Sequence, residues 1–451
     1  MIKRLLYRSY RLSATLGYWM ERRFTRAGAL VATAAIITAG LGVNIEQSVA
    51  YQASALLVCL IVVAMLTAPF FRMRFEARRI LPKFGTVGEK LRYQVVLTNR
   101  GDKNQQDLWY LEELADLRLN YQEFLDLIWT DSSAMSLSFR MTQSGKRYRS
   151  ARFRDHAVPD LPVNEQVTFP ISVVPLKRGY LRLQGITLAR TDPFGLFKAY
   201  AKIRHADSIL ILPKRYPIPE ISLSGSPKYQ QLGVELASSV GESEEFIALR
   251  DYRRGDPLRH IHWKSWAKTG RPIVKEFQDE FFIKHALILD TFSPRDPGDQ
   301  FEEAVSVAAS FACTLQTQES LLDLMFIGPE AYCITAGRGL GHTEQLLEIL
   351  AAVQVCRDKP VSTLERLVRN HLDALSGCVC ILLDWDRPRQ KLVQLIRQSG
   401  VPLRVMIICD NQNRKALDLG PLKDDPGSLQ SLRVGHITED LTQSLASHSG
   451  V

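Results

Sequence analysis

Two long uncharged stretches near the N-terminus constrain this chain more than anything else in it. Residues 27–43 carry no charge, residues 44–52 form a short polar break, and residues 53–71 are again uncharged. A spanning helix needs about 20 apolar residues, with about 17 as the lower limit. Val31, Ile36, Ile37 and Leu41, and then residues 56–63, are too continuous for amphipathic surface helices. They leave a membrane hairpin or, as the alternative, a buried pair of core helices. Pro69 marks where the second helix should stop or kink. Seven basic residues precede the first run, and Arg72, Arg74, Arg78 and Arg79 follow the second, while the connector carries only Glu46. The positive-inside rule then places both ends in the cytoplasm. Ser48-Val49-Ala50 has the look of a cleavage site, but a second apolar stretch follows at once, as in a retained hairpin.

Charge elsewhere is balanced. The chain has 57 basic and 48 acidic residues, yet residues 1–80 alone hold 11 basic and 3 acidic ones. The excess belongs to the helix flanks, so nucleic-acid binding is not expected. With 451 residues, 46% of them hydrophobic, the chain is neither collagen-like nor wholly disordered and suggests several domains. The boundaries read as 1–74 for the hairpin, 75–220 for a β-rich domain with an insertion near 102–160, 221–282 for a charged linking segment, and 283–440 for an α/β domain. The seven cysteines fall in apolar segments without a Cys-x-x-Cys, as small buried hydrophobes do.

The β-rich region alternates at 91–99 and 167–173, with turn signals at Gly101, Gly179 and Gly185, which suggests an antiparallel sandwich-like domain. Within the insertion, residues 108–129 have helical spacing. Asp192-Pro193-Phe194-Gly195-Leu196-Phe197 reads as a tight turn whose apolar side chains tuck against a sheet.

Residues 241–276 are the most unusual segment. Gly255 makes a turn, Asp256 is placed to cap a helix with Pro257 at its first position, and Gly270 suits its end. Leu258, Ile261, Trp263 and Trp266 are the expected anchors of that helix. Dense charge, including Arg250, Arg259, Lys264 and Asp256, can form ion pairs or meet an anion or an acidic partner. His260 and His262, two apart, do not point the same way on a helix and are not expected to chelate.

From residue 283 apolar strands alternate with helical segments: strands at 285–290, 321–327, 331–335, 379–383 and 403–409, and helices at 301–315, 343–355, 362–372 and 391–398. That order implies a mainly parallel, Rossmann-like sheet between helical layers. Asp290, Asp384 and Asp410 end strands, where such sheets bind ligands. No phosphate-binding Gly-x-x-x-x-Gly-Lys-Ser/Thr loop, Gly-x-Ser-x-Gly elbow or His-Glu-x-x-His is present, so no enzymatic activity is expected.

The segment with Glu245, Phe246, Arg250, Tyr252, Gly255, Asp256, Arg259, Ile261, Trp263 and Lys264 resembles the bacterial family known as domain of unknown function 58. Its hallmark looks like Glu-Phe-x-x-x-Arg-x-Tyr-x-x-Gly-Asp-x-x-Arg-x-Ile-x-Trp-Lys. His262 stands where an Asp is common. The region after 283 resembles a von Willebrand factor A domain. In place of that fold's Asp-x-Ser-x-Ser metal motif it has Asp290-Thr291-Phe292-Ser293-Pro294. Two hydroxyl oxygens are lost, so no cofactor is expected, although Asp290, Thr343 and Asp384 are the positions a divalent cation would use. The resemblance implies a multi-pass protein of the bacterial inner membrane, its bulk cytoplasmic. It would be a non-enzymatic scaffold or adaptor working with a MoxR-type AAA+ ATPase, and with other von Willebrand A-like proteins, in assembly or cell-envelope processes. The interaction residues are then Glu245, Phe246, Arg250, Tyr252, Gly255, Asp256, Arg259, Trp263 and Lys264. The alternative is a ligand sensor or enzyme using the same charged segment.

Overall fold

The computed structural model describes residues 2–41, 48–114, 121, 150–218, 246–254, 256, 258–277, 283–293, 298–316, 321–337, 340–409 and 418–446. The chain divides into two compact units, Met1–Leu212 and Pro213–Val451.

The first unit begins with three helices, α1 (Ile2–Arg23), α2 (Arg26–Leu41) and α3 (Ser48–Thr67). The Thr25 hydroxyl accepts the Gly28 N–H (3.0 Å) and so sets where α2 starts. α2 packs along α3. Among the described residues one helical stretch, Val49–Phe70, is long and apolar enough to cross a membrane, with a mean hydropathy of 2.4. Its side chains face outward, Leu56 being 71% exposed, so it is not a core helix. α2 is apolar but only 16 residues long. At 1.5 Å per residue it falls short of a bilayer core of about 30 Å. Residues 42–47, which follow it in the first uncharged run and the connector, lie outside the described residues.

Two sheets follow. β1 (Phe75–Ile80), β3 (Leu91–Asn99), β7 (Gln166–Pro175) and β5 (Ala151–Phe153) form an antiparallel sheet in the order β1-β3-β7-β5. β2 (Phe84–Thr86), β9 (Lys198–Leu212), β8 (Gly179–Thr191), β4 (Leu108–Leu114) and β6 (His156–Ala157) form the second, β2-β9-β8-β4-β6, antiparallel apart from β2 with β9. Inward residues of both share one core, among them Val95, Leu97 and Ile171 from the first and Leu108, Ile186 and Ile211 from the second. β4 overturns the helical reading over 108–114. Leu108, Tyr110 and Glu112 are buried at a spacing of two, and a carboxylate at the third inward position disguised the alternation. Most of residues 115–149 lie outside the described residues.

Glu112 is buried because it meets Arg79. Their side chains are fully enclosed and ion-paired. Arg79 also donates to the Gly185 carbonyl (3.0 Å), the His205 carbonyl (2.8 Å) and Asp207 (2.7 Å). The other Glu112 oxygen accepts from Tyr93 (2.5 Å) and Tyr110 (2.6 Å). Burial, and then the Glu112 carboxylate, push both phenols up, so they stay protonated donors. Gly185 sits where β8 shifts register, and a Cβ there would lie 2.7 Å from the Ile203 carbonyl oxygen. Arg79, counted from sequence among the charges flanking the membrane run, is thus a core residue.

The Asp192–Phe197 turn packs against helices rather than a sheet. Asp192 accepts the N–H groups of Phe194 (2.9 Å), Leu196 (2.7 Å) and Phe197 (2.6 Å). The Thr25 N–H donates to the Leu196 carbonyl (3.0 Å), and a Cβ on Gly28 would fall 2.0 Å from that oxygen. Leu196 and Phe197 cluster with Ala64, Phe24, Val31 and Leu60. Arg22 donates to the Glu112 carbonyl (2.8 Å), and Arg23 lies over the Tyr200 ring (4.2 Å).

The second unit holds a two-stranded sheet of β10 (Phe246–Asp251) and β11 (Ile273–Phe277), with α4 (Trp263–Thr269) between them. Its main sheet has the order β14-β13-β12-β15-β16-β17, from β12 (Lys284–Leu289), β13 (Leu321–Ile327), β14 (Ala331–Ala336), β15 (Gly377–Leu382), β16 (Leu403–Cys409) and β17 (Leu429–Arg433). All pairings are parallel except β13 with β14. The helices are α5 (Asp299–Gln316), α6 (Leu340–Ala352), α7 (Ser362–Arg369), α8 (Arg387–Gln398) and α9 (Ile437–Ala446). Cys378, Cys380 and Leu382 of β15 pack with α7 and α8 residues such as Leu364, Val368, Leu392 and Ile396. Val379 and Ile381 point the other way and are equally buried, while α5 packs on β12, β13, β15 and β16. Helices on both faces explain why β12 and β15 are buried throughout. All seven cysteines are free thiols.

Arg79→Met leaves the buried Glu112 without its counter-charge and is expected to lower the unfolding free energy by about 3–5 kcal/mol in a denaturant titration. Adding Glu112→Gln, which keeps an acceptor for the two tyrosines, should restore most of the loss.

Candidate functional site

β10 and β11 form the base of the signature segment. They pair antiparallel, Arg250 opposite Val274 and Asp251 opposite Ile273. The Tyr252 N–H donates to the Pro272 carbonyl (2.9 Å) and closes the excursion between them. Inside it, Arg250 forks onto Asp256, Nη1 to Oδ2 at 2.7 Å and Nη2 to Oδ1 at 2.9 Å. Asp256 Oδ2 also accepts the Arg253 N–H (2.7 Å). The Arg250 guanidinium, with that backbone donor, holds the Asp256 carboxyl down to about 2. Asp256 therefore pins the turn instead of capping the helix.

The expected single helix is split. Leu258–His260 is one 3-10 turn, Ile261 bridges to Val274, and α4 begins afterwards. The His262 N–H donates to the Ile273 carbonyl (2.8 Å), and its ring contacts the Ser265 hydroxyl (2.7 Å). Gly270 ends α4 in the left-handed region at φ 69°, as expected. Of the four expected anchors, Ile261 is buried, whereas Leu258 is 67% and Trp263 64% exposed. The Trp263 and Trp266 rings stack with centroids 5.2 Å apart and planes at 20°. Arg259 and Lys264 are exposed, and Tyr252 is half-buried. Phe246 opens β10. Glu245 and Gly255 lie outside the described residues.

The carboxyl edge of the main sheet holds a second constellation. Asp290 follows β12 and is buried. Its Oδ1 accepts the Phe292 N–H (2.9 Å), and its Oδ2 accepts the Leu383 N–H (2.9 Å) and Arg389 Nε (2.5 Å). Arg389 extends to the Phe292 carbonyl (2.8 Å) and to Asp386 (2.8 Å). Asp386 caps α8 by accepting the Arg389 N–H (3.1 Å). Burial pushes the Asp290 carboxyl up, and Arg389 with the two backbone donors pulls it back. Asp290 is thus bonded to a guanidinium at the position where a cation ligand was considered. Asp384 is exposed, with Oδ1 on the Trp385 N–H (2.7 Å). Thr343 lies half-buried in α6. Among the described residues no group of three or more His, Cys, Asp or Glu side chains is placed to hold a metal ion. Asp410 lies outside them. Arg389 escaped the sequence reading. The signal for it was Asp386 three residues ahead, an N-cap spacing beside Pro388.

The family described as "Protein of unknown function DUF58" matches residues 248–379, covering the signature turn and the first strands of the main sheet. The "Uncharacterized protein YeaD" of Bacillus subtilis (strain 168) is 25% identical over 202 residues, 44% of this chain and 49% of that protein. The chain thus spans about half the length of that curated relative. Among solved structures, the CARDB domain of PF1109 from Pyrococcus furiosus is 10% identical, covers 30% of this chain and 93% of its own, and has a TM-score of 0.16. A β-glucosidase from Listeria innocua is 14% identical, covers 31% and 16%, and scores 0.16. Scores at that level bear on neither fold nor function.

Asp256 titrates well below an unfolded carboxylate near 4. Its pin is therefore complete above about pH 4 and lost as pH falls through about 2. Protection of the Arg253 amide against hydrogen–deuterium exchange, taken relative to its intrinsic rate at each pH, should be high at pH 4 and fall toward pH 2, and Asp256→Asn should lower it at pH 4. Arg389→Ala, which strands the buried Asp290, is expected to cost about 3–5 kcal/mol in urea unfolding, with Arg389→Lys recovering less than half because an ammonium lacks the planar fork.

Proposed function

We propose that this chain is a membrane-anchored, non-enzymatic scaffold or adaptor of a bacterial inner membrane that presents its signature turn to a MoxR-type AAA+ ATPase. In this reading α2 and α3 form a two-pass hairpin with both ends cytoplasmic. The paired sheets of the first unit are a β-sandwich-like domain, and the six-stranded layer of the second is von Willebrand A-like. Membrane anchoring is supported by the outward-facing apolar side chains of α3 and the basic residues at both flanks. The partner class is carried over from the family resemblance, which the match at residues 248–379 supports over the signature turn.

The observation that carries the docking role is exposed Trp263, stacked on half-buried Trp266 and near exposed Leu258 in sequence, on a turn held by the Arg250–Asp256 fork. Exposed tryptophan on a pre-ordered backbone is the residue type that dominates binding energy at protein interfaces. A turn fixed by an internal ion pair, with Leu258 and Trp263 facing solvent, is organised for a partner rather than for chemistry.

The test uses the detergent-solubilised full chain and a purified MoxR-type ATPase from the same source. Trp263→Ala is expected to weaken their binding by about tenfold or more, with an unchanged unfolding midpoint. Equal binding by the variant, or hydrolysis of a substrate by the chain alone, would overturn the reading.

A further inference from the structure

We infer that α1 lies in the plane of the bilayer surface, its apolar side in the lipid and its arginines on anionic headgroups. The inference rests on the membrane-anchor reading and adds a second, in-plane contact to it. α1 was visible in the sequence only as a charged leader. In the structure it is a 22-residue helix, about 33 Å long at 1.5 Å per residue. Leu5, Leu12, Leu16, Trp19 and Met20 fall on one side at the helical spacing, and all are exposed, Leu5 by 66% and Leu12 by 74%. Arg4, Arg8 and Arg11 are exposed on the adjoining side. A helix with this much charge does not cross a membrane, and this much outward apolar surface does not favour water. The boundary between headgroups and acyl chains satisfies both sides at once.

Continuity with the anchor fixes which surface covers the helix. Trp19, at the C-terminal end of the apolar side, packs on Phe24 (ring centroids 6.1 Å apart) and Phe197 (5.9 Å). Phe197 clusters in turn with Ala64 and Leu60 of α3. The apolar side of α1 therefore runs into the foot of the candidate span, where a bilayer reached by α3 has its interface. Arg22 and Arg23, at the end of the helix, are engaged by Glu112, Glu113 and Tyr200 instead, so headgroup binding falls to Arg4, Arg8 and Arg11. Cytoplasmic leaflets rich in anionic lipid supply the matching charge.

The experiment reconstitutes the full chain in vesicles of phosphatidylcholine with phosphatidylglycerol, together with phospholipid bearing a nitroxide on its acyl chain. A fluorophore is attached to Leu12→Cys or to Arg8→Cys, each in a chain whose seven native cysteines are replaced by Ser or Ala, and to Cys59 of α3 in a third sample that keeps that cysteine alone. Nitroxide lipid is expected to quench the label at position 12 about threefold or more above the label at position 8, with the label at 59 also quenched. Omitting phosphatidylglycerol should reduce quenching at position 12. Quenching at 59 with equally weak quenching at 12 and 8 would overturn the in-plane helix and leave the anchor standing. It would mean that the apolar side is covered by protein, such as a second copy. No quenching at 59 would overturn both readings. Quenching at 12 that ignores the anionic lipid would overturn the headgroup contact.

Discussion

A cation withdrawn from water is tolerated only where carboxylates and carbonyls replace its hydration, and among the described residues Arg79, Lys284 and Arg389 are under that constraint. Arg79 of β1 gathers Glu112 of β4, the Gly185 carbonyl of β8 and Asp207 of β9. Lys284 of β12 meets Asp323 of β13 at 2.9 Å, and Thr335 of β14 donates to the same carboxylate at 2.6 Å. Arg389 of α8 meets Asp290 and the loop after it. Each cation draws its partners from different strands or helices. A slip of one residue in any contributing strand would turn its polar group to the opposite face and strand a buried charge. Hydrophobic burial supplies the driving force in both units, and these contacts select the register in which it is satisfied.

The same chemistry marks where the sequence could be read and where it could not. β13 and β15 were legible because strands covered on both faces are unbroken apolar blocks. The apolar run of α3 was legible for the simplest reason, its length. β4 was not, since Glu112 occupies a core-facing position and its partner lies 33 residues away in β1. Arg79 and Arg389 look like surface charges until folding brings their carboxylates to them. α1 was concealed in a different way. Its leucines and arginines have helical spacing, but so strongly basic a segment ahead of an apolar run reads first as a topology signal.

In the signature segment the residue types were visible and their division of labour was not. Arg250 and Asp256 neutralise each other and order the turn. Trp263, expected to anchor a helix, faces solvent, and Ile261 alone among the expected anchors enters a buried position. Periodicity could not separate these roles, because the 3-10 turn and the bridge to Val274 break the helix on which the reading depended.

The Asp192 turn joins the helices to the β-sheets by more than chain connectivity. Its carboxylate locks the loop, Gly28 meets the Leu196 carbonyl without an intervening side chain, and Phe197 leads directly into β9. Because the Leu196 carbonyl meets the α2 backbone directly, any side chain at position 28 would have to part that helix from the turn. The seam between helices and sheets is therefore specified by backbone meeting backbone, and its spacing leaves no room for a methyl group.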